Sequence, residues 1–256
     1  DCGDGNCLIC KAVGGCMRRI YKKVDPHKES RMGYSWVMDG IVFNERSIEK
    51  DKYLIVLKDA GPSGAVKLIP LNKKSDAVDK VEHWINQMRN DPIYSSYPYK
   101  MVSHIKTDPA GEWREDNEEW DGRIGEGGLG VKMEYPPPER HESMGLAENA
   151  CWIVERCVKS ILMQQNLPPS YWTRVSRDAE FLLNRFPIAS TTNNVPLDGD
   201  RPRPLELLTD SWYSRRQIDR ELEYYVPTGT PCLVHCHKAR GSTLGPKVRW
   251  GIASGM

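Results

Sequence analysis

The chain has 256 residues, 39% hydrophobic and 28% charged, with eight tryptophans, a composition suited to a soluble globular protein. Its longest aliphatic run, Leu54-Ile55-Val56-Leu57, is far too short to cross a bilayer, and no secretory signal is present, so neither a membrane partner nor secretion is expected. The net charge of +1 is unevenly spread, with +3 over residues 1–32, −6 over 33–200 and +4 over 201–256. That pattern fits an acidic metal-dependent site served by basic arms that meet a polyanion, and equally an ordinary charged surface.

The start at Asp1, in mid-motif and without an initiator Met, suggests a piece of a longer polyprotein. Cys7 and Cys10 have the two-residue gap that lets two thiolates grip a tetrahedral zinc. Cys2 and Cys16, or residues upstream of Asp1, would complete the set; plain reduced thiols are the alternative. Disulfides are not expected, because nothing marks the chain as secreted. The basic run 18–28 reads as a linker.

From Gly33 the pattern changes. Residues 34–43 (YSWVMDGIVF) form a β-rich run with Asp39 in its middle, and residues 52–58 (KYLIVLK) predict a strand buried on both faces. The turn Gly61-Pro62-Ser63-Gly64 joins it as a hairpin to a third strand at 65–71. Ala77, Val81, Trp84, Ile85 and Met88 recur at helical spacing over 74–90, with Ser75 as N-cap. A fourth strand at 101–107, a helix at 112–120, a Gly-rich loop at 122–130 and a fifth strand at 131–135 follow. Helices at about 145–165 and 169–185 complete an α/β sandwich with a mixed sheet. The tail from 190 to 204 reads as a linker, and short strands at 230–238 and 247–252 as a small β unit.

Three acids stand out. Asp39 lies mid-strand between Val37 and Ile41, where a charge is costly unless it is liganded. Asp108 ends the fourth strand at a Pro/Gly break, and Glu148 falls in the first turn of a helix, whose positive end favours a carboxylate. If the first and fourth strands are neighbours and that helix packs across their ends, the three converge. Converging carboxylates repel one another unless cations sit between them, and oxygen ligands with open positions suit Mg²⁺ or Mn²⁺. Taken singly, each acid also has a plain structural reading. Asp39 would pair with Lys52 or Lys58, Asp108 would cap the next helix, and Glu148 would be a surface residue.

As an ordered set, Asp39, Asp108 and Glu148 resemble the Asp-Asp-Glu triad of retroviral-type integrases, above all the integrase region of copia-type retrotransposon polyproteins. Lys106-Thr107-Asp108-Pro109-Ala110-Gly111-Glu112-Trp113 is similar to that family's Ser/Thr-Asp-Asn-Gly-Gly-Glu-Phe, and Met144-Gly145-Leu146-Ala147-Glu148-Asn149 to its Asn-Gly-Val-Ala-Glu-Arg. The second strand running into Asp59, the stretch Ile69 to Ser75, Leu167 to Trp172 and Phe181 to Pro187 look like further family segments. The sequence departs from the pattern at Ala60, Pro109, Met144 and Asn149.

The resemblance implies a ribonuclease-H-like fold: a mixed five-stranded sheet flanked by helices, with a partial N-terminal zinc-finger remnant and a small C-terminal β unit. The corresponding division is 1–32, a zinc-finger tail and linker; 33–189, the catalytic core; and 190–256, a linker and basic β-rich segment. It further implies 3′-end processing and strand transfer of element DNA, with two Mg²⁺ or Mn²⁺ ions held by Asp39, Asp108 and Glu148, and Zn²⁺ at Cys7 and Cys10. The chain would act as a homo-oligomer on element ends and target DNA, in the nucleus or a cytoplasmic element particle. A nuclease on the same fold and a catalytically inactive nucleic-acid-binding module are the alternatives.

Arg156, Lys159, Arg215, Arg216, Arg240 and Lys247 are the candidate contacts to nucleic acid, with a solvated face as the plain alternative for the first two. Cys151 is expected to pack in the core, and Trp152 to be a core anchor, with an exposed stacking platform as its alternative. In Cys232-Leu233-Val234-His235-Cys236-His237, strand alternation puts Cys and His on opposite faces, against one shared metal.

Overall fold

The computed structural model describes residues 29–108, 118–135, 145–186, 202–209, 213–235 and 248–253. Cys2, Cys7, Cys10, Cys16, Pro109, Cys236, His237, Arg240 and Lys247, and most of the expected helix at 112–120, lie outside the described residues.

The chain runs β1 (Ser35–Val42), β2 (Tyr53–Asp59), β3 (Val66–Leu71), α1 (Ala77–Asn90), β4 (His104–Thr107), α2 (Glu118–Arg123), β5 (Lys132–Glu134), α3 (Gly145–Gln164) and α4 (Trp172–Arg185). Two short helices, α5 (Pro204–Leu208) and α6 (Arg215–Glu223), and a two-stranded antiparallel pair, β6 (Pro231–His235) and β7 (Val248–Ile252), follow. The five-stranded sheet has the order β3-β2-β1-β4-β5. β2 is antiparallel to both β1 and β3, and β4 and β5 run parallel to β1. This is the expected fold class, α/β, with a mixed five-stranded sheet flanked by helices. Among the described residues no helix is long and apolar enough to cross a membrane.

Strand alternation builds the two layers. Trp36 and Met38 of β1, Ile55 and Leu57 of β2 and Ile105 of β4 point to one face, where they pack with Val81, Trp84 and Ile85 of α1. Trp36 and Trp84 meet edge to face, centroids 5.0 Å apart. Ile41, Leu54, Val56 and Leu68 point the other way, onto Ala150, Val154 and Val158 of α3 and Trp172, Val175 and Ala179 of α4. β2 contributes to both clusters, and this is why its sequence is an unbroken apolar run.

Two local expectations are corrected. Ser75 does not cap the first helix: a 3₁₀ turn (Lys74–Asp76) precedes α1 and takes Ser75 inside it, while the Asp76 carboxylate accepts the Lys73 N–H at 3.2 Å. The fourth strand begins at His104 and not at residue 101, because Val102 has φ +52°, a left-handed conformation costly for a β-branched residue. Arg89 holds this bend. Its guanidinium donates to the carbonyls of Met101 (2.9 Å), Val102 (2.9 Å) and Leu129 (2.6 Å), tying the approaches to β4 and β5 to the end of α1.

α5 and α6 were not expected. α6 is nonetheless legible in hindsight, since Ser214 and Gln217 form a capping box ahead of buried Ile218. Both helices sit against the core. Tyr97 Oη donates to the carbonyls of Leu207 (3.2 Å) and Leu208 (3.1 Å), Arg185 pairs with Glu221 at 2.6 Å, and buried Asp178 accepts the Thr228 N–H at 2.9 Å.

Arg89→Met leaves three carbonyls around a strained bend without their donor. Urea unfolding should show a loss of about 3 kcal/mol; an unchanged midpoint would mean that the clamp does not hold the bend.

Candidate active site

The site forms where β1 and β4 run side by side under the first turns of α3. Val37, Asp39 and Ile41 alternate onto the α3 face of β1, with Ala147 of α3 packed on Val37 and Ala150 close to Ile41. The parallel register pairs Ser35 with His104 and Met38 with Thr107. Asp108 follows Thr107 at the end of β4, as Asp39 follows Met38 along β1. Glu148 stands exposed in the first turn of α3, and Asp108 is exposed at the strand end.

Asp39 is half-buried, and its two oxygens are held from two directions. Oδ1 accepts the Gly40 N–H at 2.7 Å, and Oδ2 accepts the S–H of Cys151, on α3, at 3.6 Å. Burial is the main cause that pushes the Asp39 carboxyl above its ordinary value; the charges of Asp108 and Glu148 push the same way, and the two hydrogen bonds oppose them. An influence of the Asp108 and Glu148 charges on Asp39 is thus present. The ion pair considered for Asp39 is not: its register partner on β2 is Val56, and Lys52 Nζ donates to the Asn44 carbonyl at 2.9 Å.

Among the described residues no three His, Cys, Asp or Glu side chains stand close enough to enclose a metal. The donor chemistry does fit a hard divalent cation. The three groups are carboxylates, the lone pairs of Asp39 are not exhausted by two hydrogen bonds, and the mutual repulsion at Asp39 is of the kind a cation relieves.

Beside the acids, β4 and β5 carry a polar chain on the same face. Ser35 Oγ lies 2.8 Å from His104 Nδ1, and His104 Nε2 and Lys106 Nζ each lie 3.0 Å from the Glu134 carboxylate. Burial holds His104 below the usual imidazole value, against the pull of Glu134. The positions of His104 and Lys106, four and two residues before Asp108, mark them in the sequence as sharing its face; Glu134 carries no such mark.

Trp152 is corrected. It is 47% exposed, with the Arg156 guanidinium 4.4 Å over its ring. The core stripe of α3 is Ala147, Ala150, Val154, Val158 and Ile161, which leaves position 152 on the outward side. Cys151, expected as packing, lies at the edge of that stripe and reaches Asp39. Lys159 pairs with Glu155 at 3.0 Å, half-buried Arg215 reaches Glu206 at 3.4 Å, and Arg216 is exposed on α6. Cys232 is a free, half-buried thiol.

Fold and site together describe an α/β protein with a mixed five-stranded sheet and an acidic cluster across its two central parallel strands. No protein-family model matches the sequence, and no curated protein matches it. Among solved structures, the chain is similar to one in the cryo-EM structure of the simian T-cell lymphotropic virus intasome in complex with the PP2A regulatory subunit B56 gamma. The identity is 17% and the TM-score 0.47, over 91% of this chain and 73% of that one. It is also similar to the catalytic core domain of BIV integrase, at 16% identity and TM-score 0.41, over 72% of this chain and 99% of that one.

The electrostatics of Asp39 set a pH dependence. With a folded-state pKa above the unfolded value, the folded chain binds the proton more tightly, so stability falls as pH rises from about 4 through the folded value and stays lower above it. Asp39→Asn removes that loss. Without divalent ions the variant should unfold at higher urea than the parent at pH 7, with the gap narrowing towards pH 4; a gap that widens on acidification would contradict the assignment.

Proposed function

We propose that the chain is an integrase-type polynucleotidyl transferase of a retroelement, which trims the 3′ ends of element DNA and joins them to target DNA. What supports this reading is that the charges of Asp108, at the end of β4, and Glu148, in the first turn of α3, add to the raised proton affinity of half-buried Asp39 on β1. The order of the three acids along the chain and the copia-type motifs around them supply the finer reading.

In this proposal Asp39, Asp108 and Glu148 hold two Mg²⁺ or Mn²⁺ ions. The metal would supply activation of a water or 3′-hydroxyl and stabilisation of the charge that builds on the phosphorus oxygens. Asp39 is the anchored member, fixed by Gly40 and Cys151, while exposed Asp108 and Glu148 face the incoming phosphodiester. Trp152 presents an aromatic face one turn beyond Glu148, with Arg156 on it and Lys159 further along α3, a combination suited to stacking a base and meeting phosphates. Arg215 and Arg216, with Arg240 and Lys247, would serve the DNA from the C-terminal segment. DNA ends and further copies of the chain are the proposed partners, in the nucleus or an element particle. Cys7 and Cys10 are proposed to belong to a zinc site.

Labelled oligonucleotide duplexes test the reaction. With Mg²⁺ or Mn²⁺, a shortened strand and a joined product are expected, and Asp108→Asn should lower both by roughly a hundredfold or more, the scale of losing one preorganised charge-stabilising group. Cutting without any joined product would favour the nuclease; no reaction and no divalent-ion binding would leave a nucleic-acid-binding module.

Trp152→Ala should weaken binding of frayed or single-stranded DNA ends about tenfold in a fluorescence anisotropy titration. Unchanged affinity would remove Trp152 from the interface.

A further inference from the structure

Two forces act to turn the Asp39 carboxylate out of the site. It is half-buried between Val37 and Ile41, and it faces two other acids. Of its two hydrogen bonds, the one from Gly40 comes from the next residue of the same strand and moves with it. Among the described residues, only the S–H of Cys151 ties the carboxylate to another element, and that element is the helix that carries Glu148. Glu148 and Cys151 are three residues apart in α3, so they lie on one helix face.

We propose that Cys151 is a positioning residue for Asp39, its S–H crossing from α3 to β1 to hold the carboxylate in a fixed orientation relative to Glu148. The inference rests on the reading of these acids as a divalent-ion site, and it adds the residue that keeps the first ligand in place. The chemistry suits a thiol. Sulfur is small and apolar enough to lie beside the Ala147, Ala150 and Val154 stripe, where a longer polar side chain would not pack.

The test is manganese binding by the 256-residue chain, read from the EPR signal of free Mn²⁺, in the parent and in Cys151→Val, Cys151→Ala and Cys151→Ser, with unfolding midpoints measured alongside. Val and Ala remove the donor, and Ser keeps one. The donor-free variants should bind Mn²⁺ about fivefold more weakly, the scale of one modest hydrogen bond to a charged group, and Ser should return close to the parent. In an Asp39→Asn background, Cys151→Val should change nothing further. Equal affinity in the parent and a folded donor-free variant overturns the inference and leaves the proposed function standing, as does a Ser variant as weak as Val. If Val does not fold, Ala carries the same comparison. A parent that binds no Mn²⁺, or binds it as well after Asp39→Asn, overturns the metal-site reading itself and this inference with it.

Discussion

A carboxylate on the covered face of a β-sheet is the constraint around which this site is built. Val37 and Ile41, the residues on either side of Asp39 along that face, are buried under α3. Burial alone raises the proton affinity of Asp39, and the neighbouring charges add to it. The surroundings limit that cost with two donors, the Gly40 N–H and the Cys151 S–H, and with solvent access past Asp108 and Glu148. Destabilised carboxylates held this way are typical of sites where charge is to be met by a ligand.

The sheet topology decides where that charge stands. β1 is central, and its parallel partner β4 is only four residues long. A short strand that stops beside mid-β1 leaves Asp108 at its open end. α3 and α4 pack on β1, β2 and β3, so the apolar core of this face lies under those strands. On β4 and β5 the same face carries His104, Lys106 and Glu134 joined to one another. The site therefore lies at the boundary between an apolar half and a polar half of one sheet face. The strained bend at Val102 and the three-carbonyl clamp of Arg89 set where β4 begins, so they also set its length.

The C-terminal segments show how packing can override composition. Residues 204–208, mostly apolar, and 215–223, mostly charged, are short, and neither length nor periodicity marks them as helices. Contacts to the core decide them: Leu208 lies in the cluster that includes Met101, Tyr225 stacks on Phe181 at 4.9 Å, and Glu221 pairs with Arg185. β6 and β7, with their denser β-branched and apolar content, were visible in the sequence without that help.

The sequence by itself determined the class of fold and the places of Asp39, Asp108 and Glu148 among its strands and helices. Period-two alternation, an unbroken apolar run and a helical stripe are local signals, and each element that packs on both sides of the sheet carries one. Tertiary structure alone decided what surrounds Asp39. Its neighbour Cys151 is more than one hundred residues away in the chain, and the register of β4 on β1 is a pairing between strands with α1 between them. The same holds for Trp152. Its place one turn from Glu148 was legible, but its exposure depended on which side of α3 the sheet would claim, and that follows from packing against β1 and β2. Local pattern names the residues that carry charge; only the packed chain sets which of them feel one another, because electrostatic coupling depends on distance and burial and not on order along the chain.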